Sequence, residues 1–326
     1  MNIATVAIMT AIAFVGCENE MYLEEPGNLV PKTVDLDPSL PSISANGTLL
    51  HAEAFGDPND PMVIYLHGGP GVDYRNGLNI KQLVEDDFYV VFYDQRGSGL
   101  SPRLSRDQYT LELMTADLTA VIEHYRSSPE QKIFLFGHSW GAMLATAYVN
   151  ENPASIDGLI LAEPGGFTDE MVKEYGQLSR QLDLLAESSN NAVYLDQFLT
   201  GDANDDEILD YKLGLSASYT YSEGNPEGIE GPSPYWRKGA VILDHFTELA
   251  MTEGFDFTQN LQQFTPNILF IYSELNEAYS FEYAQELASY YSSAEILEIK
   301  GTGHEMIYFK WEGVHTPVLN YLNSLK

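Results

Sequence analysis

The sequence predicts an α/β fold, in which a mostly parallel β-sheet is flanked by helices and carries an inserted, mainly helical cap. Three observations predict it. Short apolar runs recur along the chain, helical periodicities lie between them, and one interval of about 100 residues, 167–266, contains no clear buried strand. Continuous apolar runs are typical of parallel strands buried on both faces, and strands that alternate with helices form a parallel sheet. We therefore predict a core of residues 42–166 and 267–326 with a cap of residues 167–266.

The individual elements are predicted in chain order from these runs. The segment 49–55 alternates apolar and polar residues like a half-exposed strand, and a turn over 56–61 follows it. The buried strands are predicted over 62–66, 89–93, 132–136, 158–162, 267–272 and 294–299. Helical periodicity predicts core helices over 111–125, 142–150, 281–291 and 314–325, and cap helices over 170–187, 192–199, 207–215 and 237–251.

The N-terminal residues are predicted to lie outside this core. Residues 1–16 carry no charged side chain, and their length suits the apolar region of a signal peptide, since it is too short for a membrane span. The sequence that ends at Cys17 resembles a bacterial lipoprotein cleavage box, which implies a lipidated, exported protein of the cell envelope. The alternative is an uncleaved N-terminus. Prolines and acidic residues in 18–41 predict an extended tether.

The composition excludes several classes of partner. The chain of 326 residues has 16 Lys and Arg against 48 Asp and Glu, a formal net charge of −32. Affinity for nucleic acid or anionic lipid depends on Lys and Arg, so we predict no nucleic-acid partner and membrane contact only through an N-terminal lipid anchor. Cys17 is the single cysteine, which excludes an intramolecular disulfide and a cysteine metal cluster.

The segment Gly137–Gly141 reads Gly-His-Ser-Trp-Gly and fits the pattern Gly-x-Ser-x-Gly. It follows a predicted strand directly and precedes a predicted helix, which is the setting of a nucleophile elbow. The two outer glycines of the motif, Gly137 and Gly141, suit a strained turn in which larger side chains would clash. We therefore predict that Ser139 is a nucleophile.

The loop after the strand 62–66 reads His-Gly-Gly-Pro-Gly and predicts an oxyanion hole. In such a loop the backbone N–H of Gly69 and the backbone N–H of Trp140 would stabilise a developing oxyanion. Gly68 supports the loop geometry, and His67, inside the loop, is predicted to have a structural hydrogen-bonding role.

The predicted general base is His304, which lies in the loop Gly-Thr-Gly-His-Glu after the last strand. A histidine at this position would take the proton of Ser139 and later return it to the leaving group. The remaining histidines lie in strands, helices or loops that do not match the motif, so we interpret them as surface or packed residues.

These motifs, together with Asp-Gln-Arg-Gly-Ser-Gly at 94–99, resemble the proline iminopeptidase family of the α/β-hydrolase fold. The resemblance covers residues 45–163 well and 267–310 fairly. It implies an α/β-hydrolase fold and a serine aminopeptidase that releases N-terminal proline or other residues from small peptides without a metal or cofactor. In such proteins the Asp-Gln-Arg loop is chiefly structural, so we predict that Asp94 and Arg96 form a buried pair.

The triad acid is the position at which the sequence departs from this family. The family has an aspartate in the loop after the strand 267–272, where this chain has Asn276. Glu163, which ends the strand 158–162, is the leading substitute, because its long side chain is predicted to reach the histidine and a charge at the end of an apolar strand needs a partner. Glu274, Glu277 and Asn276 acting alone are the alternatives.

Two other functions compete with the serine aminopeptidase. The first is an esterase, amidase or lactonase that acts on small acyl substrates with the same groups. The second belongs to a different class: a catalytically inactive binding protein on a hydrolase fold, which the replacement of the acid by Asn276 suggests.

Overall fold

Eight strands form one sheet in the computed structural model, which describes residues 29–179, 204–219, 225–231 and 234–326. The strands are β1 (Ser42–Ala45), β2 (Thr48–Phe55), β3 (Met62–Leu66), β4 (Tyr89–Tyr93), β5 (Ile133–His138), β6 (Gly158–Ala162), β7 (Ile268–Ser273) and β8 (Ala294–Ile299). Their spatial order is β1-β2-β4-β3-β5-β6-β7-β8. Strand β2 pairs antiparallel with β1 and β4, and the other pairings are parallel. The predicted mostly parallel sheet is confirmed.

The apolar run of β3 is continuous because the strand is covered on both faces. Met62, Ile64 and Leu66 belong to one core cluster, whereas Val63 and Tyr65 belong to a second. All five side chains are fully buried. Successive side chains of a strand point to opposite faces, so a strand that lies between two layers of helices has no solvent-facing position.

Helices cover the sheet and also fill the described part of the interval between β6 and β7. They are α1 (Leu111–Tyr125), α2 (Trp140–Glu151), α3 (Asp169–Leu178), α4 (Asp205–Tyr219), α5 (Ala240–Thr252), α6 (Phe281–Ala288), α7 (Met306–Phe309) and α8 (Trp311–Leu325). The bounds of α1 are those predicted from periodicity. No helix within the described ranges is long and apolar enough to cross a membrane.

Helices α3, α4 and α5 lie in the interval for which the sequence predicts a cap. A buried ion pair attaches α4 to the core, because the carboxylate of Asp210 lies 2.8 Å from Nε of Arg103, and a second one, of 2.6 Å to Nε of Arg237, lies within the interval 167–266. A buried carboxylate that is paired with two guanidinium groups keeps its charge compensated, which favours a defined position for the helix. The predicted helix over 192–199 lies outside the described residues.

Part of the segment predicted to be an extended tether packs on the core instead. The backbone N–H of Val34 donates to the carbonyl of Leu100 at 2.9 Å, and the Val34 side chain is buried. The carbonyl of Pro31 accepts a hydrogen bond from Nη1 of Arg237 at 3.1 Å. The prediction is wrong for these residues because the folded chain supplies hydrogen-bond partners and a buried position for Val34, which proline content does not reveal. Residues 1–28, which include Cys17, lie outside the described residues.

The predicted pair between Asp94 and Arg96 is also wrong. Arg96 makes two hydrogen bonds to the carboxylate of Asp117 in α1, of 2.6 and 2.7 Å. Asp94 lies 2.8 Å from Nδ1 of His51 in β2 and accepts hydrogen bonds from two backbone N–H groups. Both residues are buried as predicted, but the loop turns between them, so that one faces β2 and the other faces α1.

Candidate active site

Ser139 lies on a sharp turn between β5 and α2, with backbone angles φ 54° and ψ −121°. Residues other than glycine rarely adopt a positive φ, so the backbone of this turn is strained in the way that is found at functional sites. The turn is also crowded: a Cβ on Gly137 would lie 2.5 Å from Cα of Ala142, and a Cβ on Gly141 would overlap the carbonyl of Leu66. The structure therefore places Ser139 in the geometry of a nucleophile elbow.

The glycine loop after β3 lies directly against this turn. A Cβ on Gly68 would lie 3.2 Å from Cβ of Ser139, so the loop lies close to the serine and a larger residue would require a small shift of its neighbours. Gly69 and Trp140 line the same cavity as Ser139. Trp140 is the first residue of α2, and the first N–H groups of a helix have no acceptor within the helix. The two residues whose N–H groups are predicted as oxyanion donors thus line the same cavity as the serine.

Gln95 connects the glycine loop to the elbow, a role that the sequence analysis missed. Its backbone N–H donates to Nε2 of His67 at 3.0 Å, its amide nitrogen donates to the His67 carbonyl at 2.9 Å, and its Oε1 accepts from Nε1 of Trp140 at 2.9 Å. Burial lowers the pKa of His67, so its neutral ring accepts from Gln95 and its Nδ1–H donates to the carbonyl of Gly68. The position of Gln95 in the Asp-Gln-Arg motif is the sequence feature that could have indicated this role.

Glu163 reaches His304 from the end of β6. Its Oε2 lies 2.6 Å from Nδ1 of His304 and accepts a hydrogen bond of 2.8 Å from the amide of Asn276. Its Oε1 accepts from the backbone N–H and the hydroxyl of Ser273, at 2.7 and 2.6 Å. The side chain of Glu163 is fully buried. A buried carboxylate with donors on both oxygens meets the condition for a stable internal charge.

The other three acid candidates lie elsewhere or face other groups. The amide of Asn276, which is 3% exposed, points to Glu163. Glu274 is exposed, and its carboxylate lies 3.3 Å from Nζ of Lys300. Glu277 is also exposed. Among the described residues, Glu163 is the candidate that the structure brings to His304. Asn276 and Ser273 instead hold the carboxylate in place, a role that the sequence analysis did not assign.

Two opposing effects act on the pKa of His304. Burial disfavours the imidazolium, but the hydrogen bond and charge of Glu163, together with the charges of Glu227 and Glu305, outweigh it and raise the pKa to about 9. No hydrogen bond joins His304 to Ser139 among the residues that the structure describes. Such contacts often tighten only when substrate binds.

The raised pKa predicts an alkaline activity profile. A general base must be neutral, so kcat/KM of the wild-type protein is expected to rise with pH, with a midpoint above the ordinary histidine value of 6.5. The Glu163→Gln variant loses the charge that stabilises the imidazolium, so its midpoint should lie lower. The measurement is the pH dependence of kcat/KM for both proteins, with stability followed by circular dichroism at each pH. A wild-type midpoint at or below 6.5 would contradict this assignment.

His138, the residue before the nucleophile, contacts the base loop. Its Nε2 lies 2.8 Å from the carbonyl oxygen of His304, and the two imidazole rings are 4.7 Å apart. Burial lowers the pKa of His138, and the positive charge of His304 lowers it further, so the neutral ring donates Nε2–H to that carbonyl. From the sequence, His138 is predicted to be a surface or packed residue, and its position next to Ser139 is the one sequence feature that indicates a further contact.

An eight-stranded, mostly parallel sheet with a serine elbow, a glycine loop and a buried Glu–His contact defines an α/β-hydrolase. The family model described as "Serine aminopeptidase, S33" matches residues 57–209. This match covers a little less than half of the chain, so over these residues the chain is similar to that family.

The curated relatives and solved structures are consistent with this class. The chain is 34% identical to a proline iminopeptidase of Thermoplasma volcanium over 39% of this chain and 42% of that protein. It is 25% identical to the proline iminopeptidase of Heyndrickxia coagulans over 71% and 78%. The first four curated relatives are matched over only 29% to 42% of their own length. The proline iminopeptidase of Mycobacterium smegmatis superposes with a TM-score of 0.59 at 19% identity, over 87% of this chain and 97% of that one, which supports the fold alone.

Proposed function

We propose that this protein is a serine hydrolase that forms an acyl-enzyme and acts as an aminopeptidase on small peptides, releasing N-terminal proline or another residue. The observation that carries the proposal is the 2.6 Å contact between the buried Glu163 carboxylate and Nδ1 of His304, in a chain whose serine stands on a strained elbow. A buried acid–histidine contact has its established use in activating a nucleophile. The proline iminopeptidase relatives favour a peptide substrate.

In this mechanism Ser139 Oγ attacks the substrate carbonyl while His304 Nε2 accepts the hydroxyl proton. Glu163 holds the ring through Nδ1–H and stabilises the imidazolium. The backbone N–H groups of Gly69 and Trp140 stabilise the oxyanion of the tetrahedral intermediate. His304 then returns the proton to the amine as the C–N bond breaks. Water, deprotonated by the same histidine, hydrolyses the acyl-enzyme and restores the serine. These steps need no metal or cofactor.

An aminopeptidase must also recognise the free α-amine of its substrate. In this proposal a carboxylate from the interval 167–266 has that role. Glu227 supports it: the residue is 7% exposed, and its carboxylate lies 3.5 Å from the hydroxyl of Tyr175, which lines the cavity at Ser139. The carbonyl of Glu227 also accepts a hydrogen bond of 2.8 Å from the backbone N–H of His304, so this segment lies against the base loop. A buried carboxylate beside the base loop favours a positively charged partner, such as the ammonium group of a substrate.

An esterase is the second candidate, because the same groups cleave esters and the cavity at Ser139 has a largely apolar wall. The discriminating experiment combines a fluorophosphonate probe with aminoacyl-naphthylamides and p-nitrophenyl esters. We expect labelling of the wild-type protein, loss of labelling in the Ser139→Ala variant, and release of naphthylamine. Labelling with ester cleavage alone would replace the aminopeptidase by an esterase. Absence of labelling would support the inactive binding protein.

A further inference from the structure

A cavity of about 920 Å³ opens at the nucleophile and extends between the core and the interval between β6 and β7. Ser139, Gly69 and Trp140 lie in its wall, so an acyl group attached to the serine would enter it. A cavity of about 150 Å³ already holds a benzene-sized group. This cavity is about six times larger, and its volume lies at the upper end of the range for pockets of small-molecule ligands, roughly 300–1,000 Å³.

Part of the wall of the cavity is apolar. Met143 and Trp140 contribute the core side, and the Trp140 ring contacts Phe246 of α5 with ring centroids 4.8 Å apart. Phe255 and Phe257, in the loop after α5, stack on each other at 4.6 Å. All five residues line the cavity. Contact between apolar side chains and apolar substrate atoms is favourable because it removes both from water, whereas a polar substrate group would find no hydrogen-bond partner there.

The charged residues of the cavity wall do not favour an anionic substrate. Arg106 lies 2.7 Å from the carboxylate of Asp244, and Lys173 lies 2.7 Å from that of Asp169, so both cations are already paired. The lining also includes carboxylates, among them Glu253. The field in the cavity is therefore unfavourable to a substrate that carries a carboxylate on its acyl group.

We propose that the acyl group cleaved by this enzyme is bulky and apolar, such as a leucyl, phenylalanyl or medium-chain acyl group, instead of prolyl or acetyl. This inference rests on the proposed serine-hydrolase function and specifies its substrate class. A prolyl group would contact only a small part of the wall, whereas a group that extends along Met143, Phe246 and Phe257 would bury its apolar surface against them. Removal of this surface from water is the source of the preference.

Two substrate series with a constant leaving group test the proposal. In p-nitrophenyl esters from acetyl to octanoyl, kcat/KM is expected to rise by about threefold for each added methylene until the cavity is filled. In aminoacyl-naphthylamides, leucyl and phenylalanyl substrates are expected to exceed prolyl and alanyl by at least about 10-fold. A flat series, or a preference for acetyl and prolyl groups, would overturn the inference while leaving the serine hydrolase intact. Cleavage of no substrate in either series would overturn the proposed function itself and the inference with it.

A matched pair of variants on α5 locates the preference in the cavity. Ala250 is half-buried and lines the cavity, so Ala250→Trp fills part of it and should lower the octanoyl-to-acetyl ratio of kcat/KM by about 10-fold. Thr252 lies two residues further on the same helix, is exposed and is not part of the lining, so Thr252→Trp should leave the ratio unchanged. An unchanged ratio in the folded Ala250→Trp variant would contradict the placement of the acyl group.

Discussion

Replacing Glu163 by glutamine is expected to lower kcat by about 10⁴-fold, which corresponds to about 5 kcal/mol of activation free energy. The change keeps the size of the side chain but removes the negative charge 2.6 Å from Nδ1 of His304, so the imidazolium that forms during acylation loses its stabilisation. The measurement is kcat, together with the rate constant of fluorophosphonate inactivation, which does not depend on knowing the substrate.

The control for this prediction is Glu274→Gln, because Glu274 belongs to the same loop as Asn276 but is exposed and bound to Lys300. We expect this variant to retain the wild-type rate within about twofold. Wild-type activity in Glu163→Gln would exclude Glu163 as the triad acid.

A second variant tests whether the acid position is interchangeable. The amide of Asn276 lies 2.8 Å from the same oxygen of Glu163 that contacts His304, so an aspartate at position 276 would bring a carboxylate next to the histidine. The double variant Glu163→Gln with Asn276→Asp is therefore expected to recover at least about 10-fold of the lost rate. A folded double variant no faster than Glu163→Gln would show that position 276 does not reach the base.

Replacing Asp117 by alanine is expected to lower the free energy of unfolding by about 3–5 kcal/mol. Asp117 makes two hydrogen bonds to Arg96, of 2.6 and 2.7 Å, and both side chains are almost fully buried. Removal of one partner of a buried ion pair leaves the other charge uncompensated in a medium of low polarity. The measurement is urea-induced unfolding, with the slope of the free energy against urea concentration checked for two-state behaviour.

The matched control for Asp117→Ala is a substitution in an exposed ion pair. Asp244 lies 2.7 Å from Nη1 of Arg106, but the two side chains are 73% and 43% exposed. Exposed pairs contribute roughly 0–1 kcal/mol, so Asp244→Ala should change the unfolding free energy by less than about 1 kcal/mol. Equal losses in the two variants would contradict the role given to burial.

Local sequence patterns were sufficient to predict a site residue where a single segment both forms the local structure and contains the reactive group. The strand and the helix that flank Ser139 were predictable from apolar runs, and the elbow follows from glycines within the same motif. The oxyanion loop is predictable for the same reason. The partners of Arg96 and the packing of Val34 could not be predicted from local patterns. A buried charge or an apolar side chain packs against groups that are close in space, and separation along the chain does not indicate which groups these are.

The sequence by itself determined the order of the elements, the hydrolase fold and the positions of Ser139 and His304. Only the tertiary structure decided which acid meets the histidine, since residues 163 and 304 are separated by 141 positions and become neighbours because the ends of β6, β7 and β8 lie side by side in the sheet. Pairing in the sheet brings the end of one strand beside the end of another, and the amide of Asn276 and the hydroxyl of Ser273 then compensate the buried charge of Glu163. This complementarity exists only in the folded chain, because it depends on burial and on distances between side chains.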